Sequence, residues 1–281
     1  MTMRFGGLVS SMDMDEHLIY LSGEQSVSLW DRQTLSCVHR KEGFRKGFRL
    51  CVDDAYIYGT SLYHFTVLDK RTLEPIHEMQ FGADISSDLG KPIQDSSRVY
   101  FPIRNGQLVA IDKVEPTRAR ILEQHSGTIW GMDQDDRFLY TGSVDRTVRV
   151  WEKESLAVVR VLEGHRGNVQ RVCVGGPYLF TGATDLSVIV WDRQTGEMIH
   201  RIRNAHRKAI NGLAYWNGRL LTSSMAAGEV RIWACGSWDM KQAHSLSLAE
   251  GVGARVVGDT VYMVLRREPG VTVVPAEEIF G

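Results

Sequence analysis

The stretch at residues 125–165 runs HSGTIWGMDQDDRFLYTGSVDRTVRVWEKESLAVVRVLEGH. Its apolar side chains alternate with polar ones at a period of two, the spacing of strands rather than of helices. TIWGMD, FLYTGS, TVRVWE and LAVVRVL read as four short strands, joined by the polar turns DQDDR, VDR and KES. Working outward, the third of these strands recurs along the chain: VSLWD (27–31), FTVLD (65–69), LVAID (108–112), VRVWE (148–152), VIVWD (188–192), VRIWA (230–234) and VTVVP (271–275). Each copy carries a bulky fourth residue, in turn Trp30, Leu68, Ile111, Trp151, Trp191, Trp233 and Val274, at successive separations of 38, 43, 40, 40, 42 and 41 residues. No segment sustains a helical apolar face. A four-stranded unit repeated at this period is the blade of a β-propeller.

The expected architecture is therefore all-β, a single seven-bladed propeller of four-stranded antiparallel blades over residues 1–281. From first to third strand the blades are expected at 7–31, 46–69, 89–112, 125–152, 165–192, 206–234 and 251–275. The last unit ends after its third strand. Residues 1–5 are expected to supply the missing outer strand and so close the ring, removing two open sheet edges.

Two units share more than their strands. Each has a His before the first strand (His125, His165), a Thr-Gly pair (Thr141-Gly142, Thr181-Gly182), an Asp in the turn before the third strand (Asp145, Asp185) and the Trp anchor (Trp151, Trp191). In these features the chain resembles the WD40 family over its whole length. The resemblance implies a hydrogen-bonded set in each blade: His125, Thr141, Asp145 and Trp151, and His165, Thr181, Asp185 and Trp191, with Ser143 as the alternative hydroxyl to Thr141. Other units depart from the pattern. Unit six keeps His206 and Trp233 but has Ala227 at the Asp position, unit one has Trp30 without a His, and units two, three and seven lack the Trp.

Composition narrows the function. Lys plus Arg is 33 against 34 Asp plus Glu, a net charge of −1, which rules out a whole-surface basic field for nucleic acid. The four cysteines, Cys37, Cys51, Cys173 and Cys235, form no C-x-x-C pair and read as buried free thiols of a reducing compartment. No basic-then-apolar leader opens the chain, no run approaches the roughly 18 apolar residues of a membrane span, and no N-x-S/T sequon occurs. The expected location is the cytoplasm.

No catalytic or metal-binding signature emerges, and no cofactor is expected. His125, His165 and His206 belong to the repeat, and His17, His39, His64, His77, His200 and His244 lie singly without ligand spacing. Asp53-Asp54 and Asp135-Asp136 occupy equivalent turns, as turn residues do. Gly251-Val252-Gly253 opens a strand rather than a helix, so a phosphate would find no helix dipole there.

Binding has better support. Loops before first strands and turns between second and third strands share one end of the blades, here the top. The remaining turns share the bottom, where Asp13, Asp15, Glu16, Asp53, Asp54, Asp133, Asp135, Asp136, Glu152 and Glu154 are placed. Aligning the first strands gives one residue per blade near the top of the channel: Ser10, Phe48, Lys91, Trp130, Gln170, Asn211 and Arg255. WD40 relatives commonly hold a peptide near this position. The expected partner-binding residues are Trp130 and Phe48 as aromatic anchors, Gln170 and Asn211 beside them, and Arg45, Arg49, Arg171 and Arg207 as charges. The chain thus reads as a non-enzymatic scaffold subunit, a monomer within a heteromeric assembly, binding a protein or peptide for which acidic chemistry is the natural complement. A propeller enzyme with a channel active site and a nucleic-acid-associated subunit are the alternatives. No membrane partner is expected.

Overall fold

The computed structural model describes residues 2–4, 8–23, 25–61, 63–81, 91–224, 230–244, 254–264 and 270–280. After β1 (Thr2–Arg4), strands follow in sets of four. Blade 1 is β2 (Ser11–Met14), β3 (Leu18–Gly23), β4 (Ser26–Asp31) and β5 (Cys37–Glu42); blade 2 is β6 (Arg49–Val52), β7 (Tyr56–Ser61), β8 (His64–Asp69) and β9 (Pro75–Gln80). Blade 3 is β10 (Ile93–Gln94), β11 (Arg98–Pro102), β12 (Gln107–Asp112) and β13 (Ala119–Glu123). Blade 4 is β14 (Ile129–Gln134), β15 (Phe138–Ser143), β16 (Thr147–Glu152) and β17 (Val158–Glu163); blade 5 is β18 (Val169–Gly175), β19 (Tyr178–Ala183), β20 (Val188–Asp192) and β21 (Met198–Ile202). Blade 6 is β22 (Ile210–Trp216), β23 (Arg219–Ser224), β24 (Val230–Ala234) and β25 (Met240–His244). Blade 7 is β26 (Ala254–Val257), β27 (Thr260–Val264) and β28 (Gly270–Pro275), followed by the short helix α1 (Ala276–Phe280). The fold is all-β: seven four-stranded antiparallel sheets, the blades of a propeller.

Two compact units divide the chain, residues 5–124 with blades 1 to 3, and residues 1–4 with 125–281, which hold blades 4 to 7. In the second unit the N-terminal strand completes the last blade: β1 pairs antiparallel with β28, Thr2 opposite Thr272 and Arg4 opposite Gly270.

Burial follows strand position. The middle strand β4 is buried at every residue except Asp31, whereas the outer strand β5, CVHRKE, is almost wholly exposed. Charged side chains on such outer strands discourage pairing with other chains. A shared turn joins third to fourth strands. In Asp31–Leu35 and Asp69–Leu73 the aspartate Oδ1 accepts the N–H groups two and three residues on, and the fifth residue enters the left-handed region at φ 54° and 58°. Leu156, Gly196 and Trp238 repeat that conformation. The strand then resumes with a register shift beside Trp30, Leu68, Trp151, Trp191 and Trp233, so the turn sets the anchor against its blade.

Packing within each unit is close. A Cβ on Gly131 would lie 2.9 Å from Arg171 Cα, so only glycine lets β14 approach β18 this nearly. In the other unit, Phe65 stacks on Phe101 at 5.3 Å between blades 2 and 3.

Candidate functional site

The implied hydrogen-bonded sets form in blades 4 and 5. His125 Nδ1 lies 2.7 Å from Asp145 Oδ2, and its Nε2 lies 2.7 Å from Thr141 Oγ1, which also accepts Trp151 Nε1–H at 2.9 Å. The carboxylate can only accept, so Nδ1 carries the proton. Nε2 then accepts from the Thr141 hydroxyl, and the hydroxyl oxygen is left for the indole. Every donor meets an acceptor. Blade 5 repeats the set with His165–Asp185 at 3.0 Å, His165–Thr181 at 2.8 Å and Trp191–Thr181 at 2.8 Å. Ser143 instead donates to the Gly127 carbonyl, which settles the hydroxyl in favour of Thr141. Burial raises the carboxylates of Asp145 and Asp185, but hydrogen bonds from His125 and His165 and from neighbouring N–H and hydroxyl groups outweigh it and hold both well below the usual range.

Blade 6 shows a member that the sequence reading did not name: Thr222 Oγ1 sits 2.8 Å from His206 Nε2 and accepts Trp233 Nε1–H at 2.9 Å. Its spacing from His206 equals that of Thr141 from His125, which would have found it. Ala227 lies outside the described residues. In blade 1, Trp30 donates to Ser28 at 2.8 Å. Arginines secure the carbonyl before the histidine from two different strands, Arg201 on β21 to Gly164 O and Arg231 on β24 to Ala205 O.

At the opposite end of the blades a second repeated device was also missed. Asp15, Asp53, Asp95 and Asp135 each accept two turn N–H groups through Oδ1, and through Oδ2 they accept the hydroxyl of Tyr20, Tyr58, Tyr100 and Tyr140. Cations from a neighbouring blade reach three of them: Lys70 Nζ to Asp15 at 2.8 Å, Lys113 Nζ to Asp53 at 2.7 Å and Arg193 Nε to Asp135 at 3.6 Å. Burial tends to raise the Asp15 carboxyl, yet Lys70, Tyr20 and the N–H groups of Leu18 and His17 bring it down to about 2. These acids are framework rather than a free acidic surface, which corrects that part of the sequence reading. Asp13 and Asp133 are not turn residues at all. They lie on β2 and β14, and their carboxylates accept Val52 N–H at 2.9 Å and Val174 N–H at 2.7 Å.

The expected partner residues separate. In the unit of blades 4 to 7, Trp130, Gln170 and Asn211 each occupy the extra residue of a β-bulge in the first strand, between Ile129 and Gly131, Val169 and Arg171, and Ile210 and Gly212. A bulge re-aims the side chain it carries. Trp130 is half-buried, Gln170 and Asn211 are buried, and Asn211 Oδ1 accepts the Ser223 hydroxyl at 3.0 Å. Arg207 is exposed. Arg171 is not a free charge: its guanidinium donates to the carbonyls of Asn211 and Gln170, both at 2.7 Å.

In the other unit Phe48 requires correction as an anchor. It is only 4% exposed, its ring fills the space above Gly59, and it packs with Tyr20, Leu50 and Ile57. Strand alignment located its register, but the absent side chain at Gly59 draws it inward. Arg45 lies 3.7 Å from Glu78, and Arg49 begins β6 half-buried. Lys91 Nζ points to Met12 O at 3.5 Å. The side chain of Arg255 lies outside the described residues.

Among the described residues, no group of three or more His, Cys, Asp and Glu gathers as metal ligands. The thiols of Cys51 and Cys173 are buried, and burial pushes that of Cys51 up to about 12. Cys37, on an outer strand, is instead exposed and Cys235 half-buried, which corrects the expectation of four buried thiols. No helix among the described residues is long and apolar enough to cross a membrane.

Residues 116–152 and 156–192 match the WD40 family, the WD domain, G-beta repeat. Those stretches take in the first three strands of blades 4 and 5, where the hydrogen-bonded sets are complete. Two WD40 repeats thus lie within a seven-bladed β-propeller. Solved structures share the fold at low identity. A chain of a mitotic checkpoint complex is 13% identical, covering 98% of this chain and 90% of that one, with a TM-score of 0.83. The Cps50 (Swd1) β-propeller domain from Myceliophteria thermophila is 13% identical, covering 97% of each chain, with a TM-score of 0.79. U3-55K is 16% identical, covering 98% of each chain, also with a TM-score of 0.79. No curated protein matches the sequence.

Proposed function

We propose that the chain is a non-enzymatic interaction platform, a cytoplasmic scaffold subunit that seats a protein or peptide partner at the top ends of blades 4 to 6. The observation that carries this reading is the line of bulges. Three consecutive first strands place Trp130, Gln170 and Asn211 at equivalent positions, while β2, β6 and β10 pair without a shift. Fully bonded His–Asp–Thr–Trp sets hold the loops beside two of these positions, so the surface is preorganised and little ordering entropy is lost on binding. A half-buried tryptophan beside polar amides has the make-up of an interface centre. The likeness to a chain of a mitotic checkpoint complex supports the same reading.

Affinity capture from the native cell, with mass spectrometry, compares the wild type with Trp130→Ala. The wild type should retain a partner that the variant loses at an unchanged melting temperature. Equal recovery of that partner by both proteins contradicts the assignment.

A further inference from the structure

The bulges say where a partner sits, and the cations around them say what chemistry it carries. Arg146 lies in the turn between β15 and β16, Arg166 in the loop before β18, and Arg203, Arg207 and Lys208 in the loop before β22. By topology all five stand at the top ends of blades 4 to 6, and all are exposed. None makes a salt bridge to a described residue. The carboxylates in this region are already engaged, Asp145 by His125 and Asp185 by His165. Glu163, at the end of β17, is the exposed acid here, and Glu229 and Glu250 lie outside the described residues.

In the other unit several surface cations find partners, although Lys46, Arg71 and Arg120 are exposed without a salt bridge to a described residue. In the basic stretch 40–49 of the other unit, Arg40 pairs with Glu42, Lys41 with Glu74 and Arg45 with Glu78. A group of like charges left without counter-charges repels itself, and an anionic partner relieves that repulsion.

We infer that the partner seated at the top ends of blades 4 to 6 is an acidic segment of a protein, its Asp and Glu side chains meeting Arg146, Arg166, Arg203, Arg207 and Lys208 around Trp130. This rests on the platform reading above and moves the recognition charges from Arg45 and Arg171, which are internally engaged, to an arc in one unit. Single-stranded nucleic acid fits less well. It stacks successive bases on exposed aromatic faces, whereas this arc has one half-buried tryptophan between buried amides.

The test is a selection from a random displayed peptide library on the intact chain. Binders are then measured against Trp130→Ala, the triple variant Arg166→Glu, Arg203→Glu and Arg207→Glu, the milder triple change to Gln, and Arg45→Glu. Folding is checked by melting. The selected peptides should be rich in Asp and Glu. The charge-reversed triple variant should slow their association about tenfold at about 0.1 M salt, with the difference shrinking towards 1 M. The Gln variant should fall between it and the wild type, and Arg45→Glu should change nothing. Neutral or basic binders, acidic binders indifferent to both triple variants, or no binder at all would overturn the inference. So would an oligothymidylate that competes as well as the peptides do. Peptides lost with Trp130→Ala but indifferent to charge leave the platform reading standing, whereas peptides indifferent to Trp130→Ala contradict that reading itself.

Discussion

One hydroxyl organises each of the framed blades. Thr141 Oγ1 gives its proton to His125 and receives one from Trp151, so three side chains from three segments depend on a single atom. Asp145 completes the set by fixing the tautomer of His125 and accepting from Thr147 and the Ser126 N–H. Removing such an acceptor leaves buried donors without partners, which is the expensive kind of hydrogen-bond loss. Asp145→Ala and Asp185→Ala should each cost about 1–3 kcal/mol, and Thr141→Val, a near-isostere that strands both His125 and Trp151, should cost at least as much. Denaturant melts of the four proteins check this. A neutral result for both Asp variants would show that the His–Asp contacts do not hold these blades. The His-to-Asp-to-Trp spacing was visible in the sequence because the two repeats match residue for residue. Thr222 stands at the same spacing from its His and was equally visible, although the missing Asp of that blade masked the pattern. Phe48 failed for a different reason: alignment assigns a register, while the direction of a side chain depends on what stands opposite, here a glycine.

At the scale of the element, the blades are held at their two ends by different chemistry. In blades 1 to 4 the bottom turns combine an aspartate, a tyrosine five residues on and, in three cases, a cation from a neighbouring blade. The D-x-x-x-x-Y repeats at 15/20, 53/58, 95/100 and 135/140 spell this device out, and it went unread because the aspartates satisfied a simpler expectation as turn residues. Its consequence is a definite pH dependence. Asp15, Asp53, Asp145 and Asp185 all have carboxyls lowered by folding, so their stabilisation is complete above the unfolded value of about 4 and is lost as pH falls through the folded values, about 2 for Asp15. The melting temperature should therefore drop steeply below about pH 4, and Lys70→Met should flatten part of that slope by removing the charge that draws Asp15 down. An unchanged slope in Lys70→Met would separate Lys70 from Asp15. The added strand β1 makes a second prediction at this scale. Deleting residues 1–5 uncovers the edge of β28, and the melting temperature should fall by more than about 4 °C, with a rising tendency to self-associate. Unchanged melting would mean that the strand contributes nothing to the last blade.

For the whole molecule, the number and order of blades were legible because seven anchors recur at nearly constant separation, each within a strand of period two. The candidate site was legible only in part. Alignment of first strands found Trp130, Gln170 and Asn211 together, but it could not reveal that a bulge lifts each of them out of the ladder or that Arg171 is tied to backbone carbonyls. The bond from Arg171 to Asn211 O and the one from Val174 N–H to Asp133 join residues about 40 positions apart, which no local pattern encodes. The proposed seat of the partner is the top ends of blades 4 to 6. Hydrogen–deuterium exchange on the complex with the captured partner tests it most directly. Protection should appear in residues 126–131, 166–171 and 207–212, with the bottom turns at 135–138 and 193–197 exchanging as in the free chain. Protection confined to those bottom turns, with the bulged first strands unchanged, would contradict it.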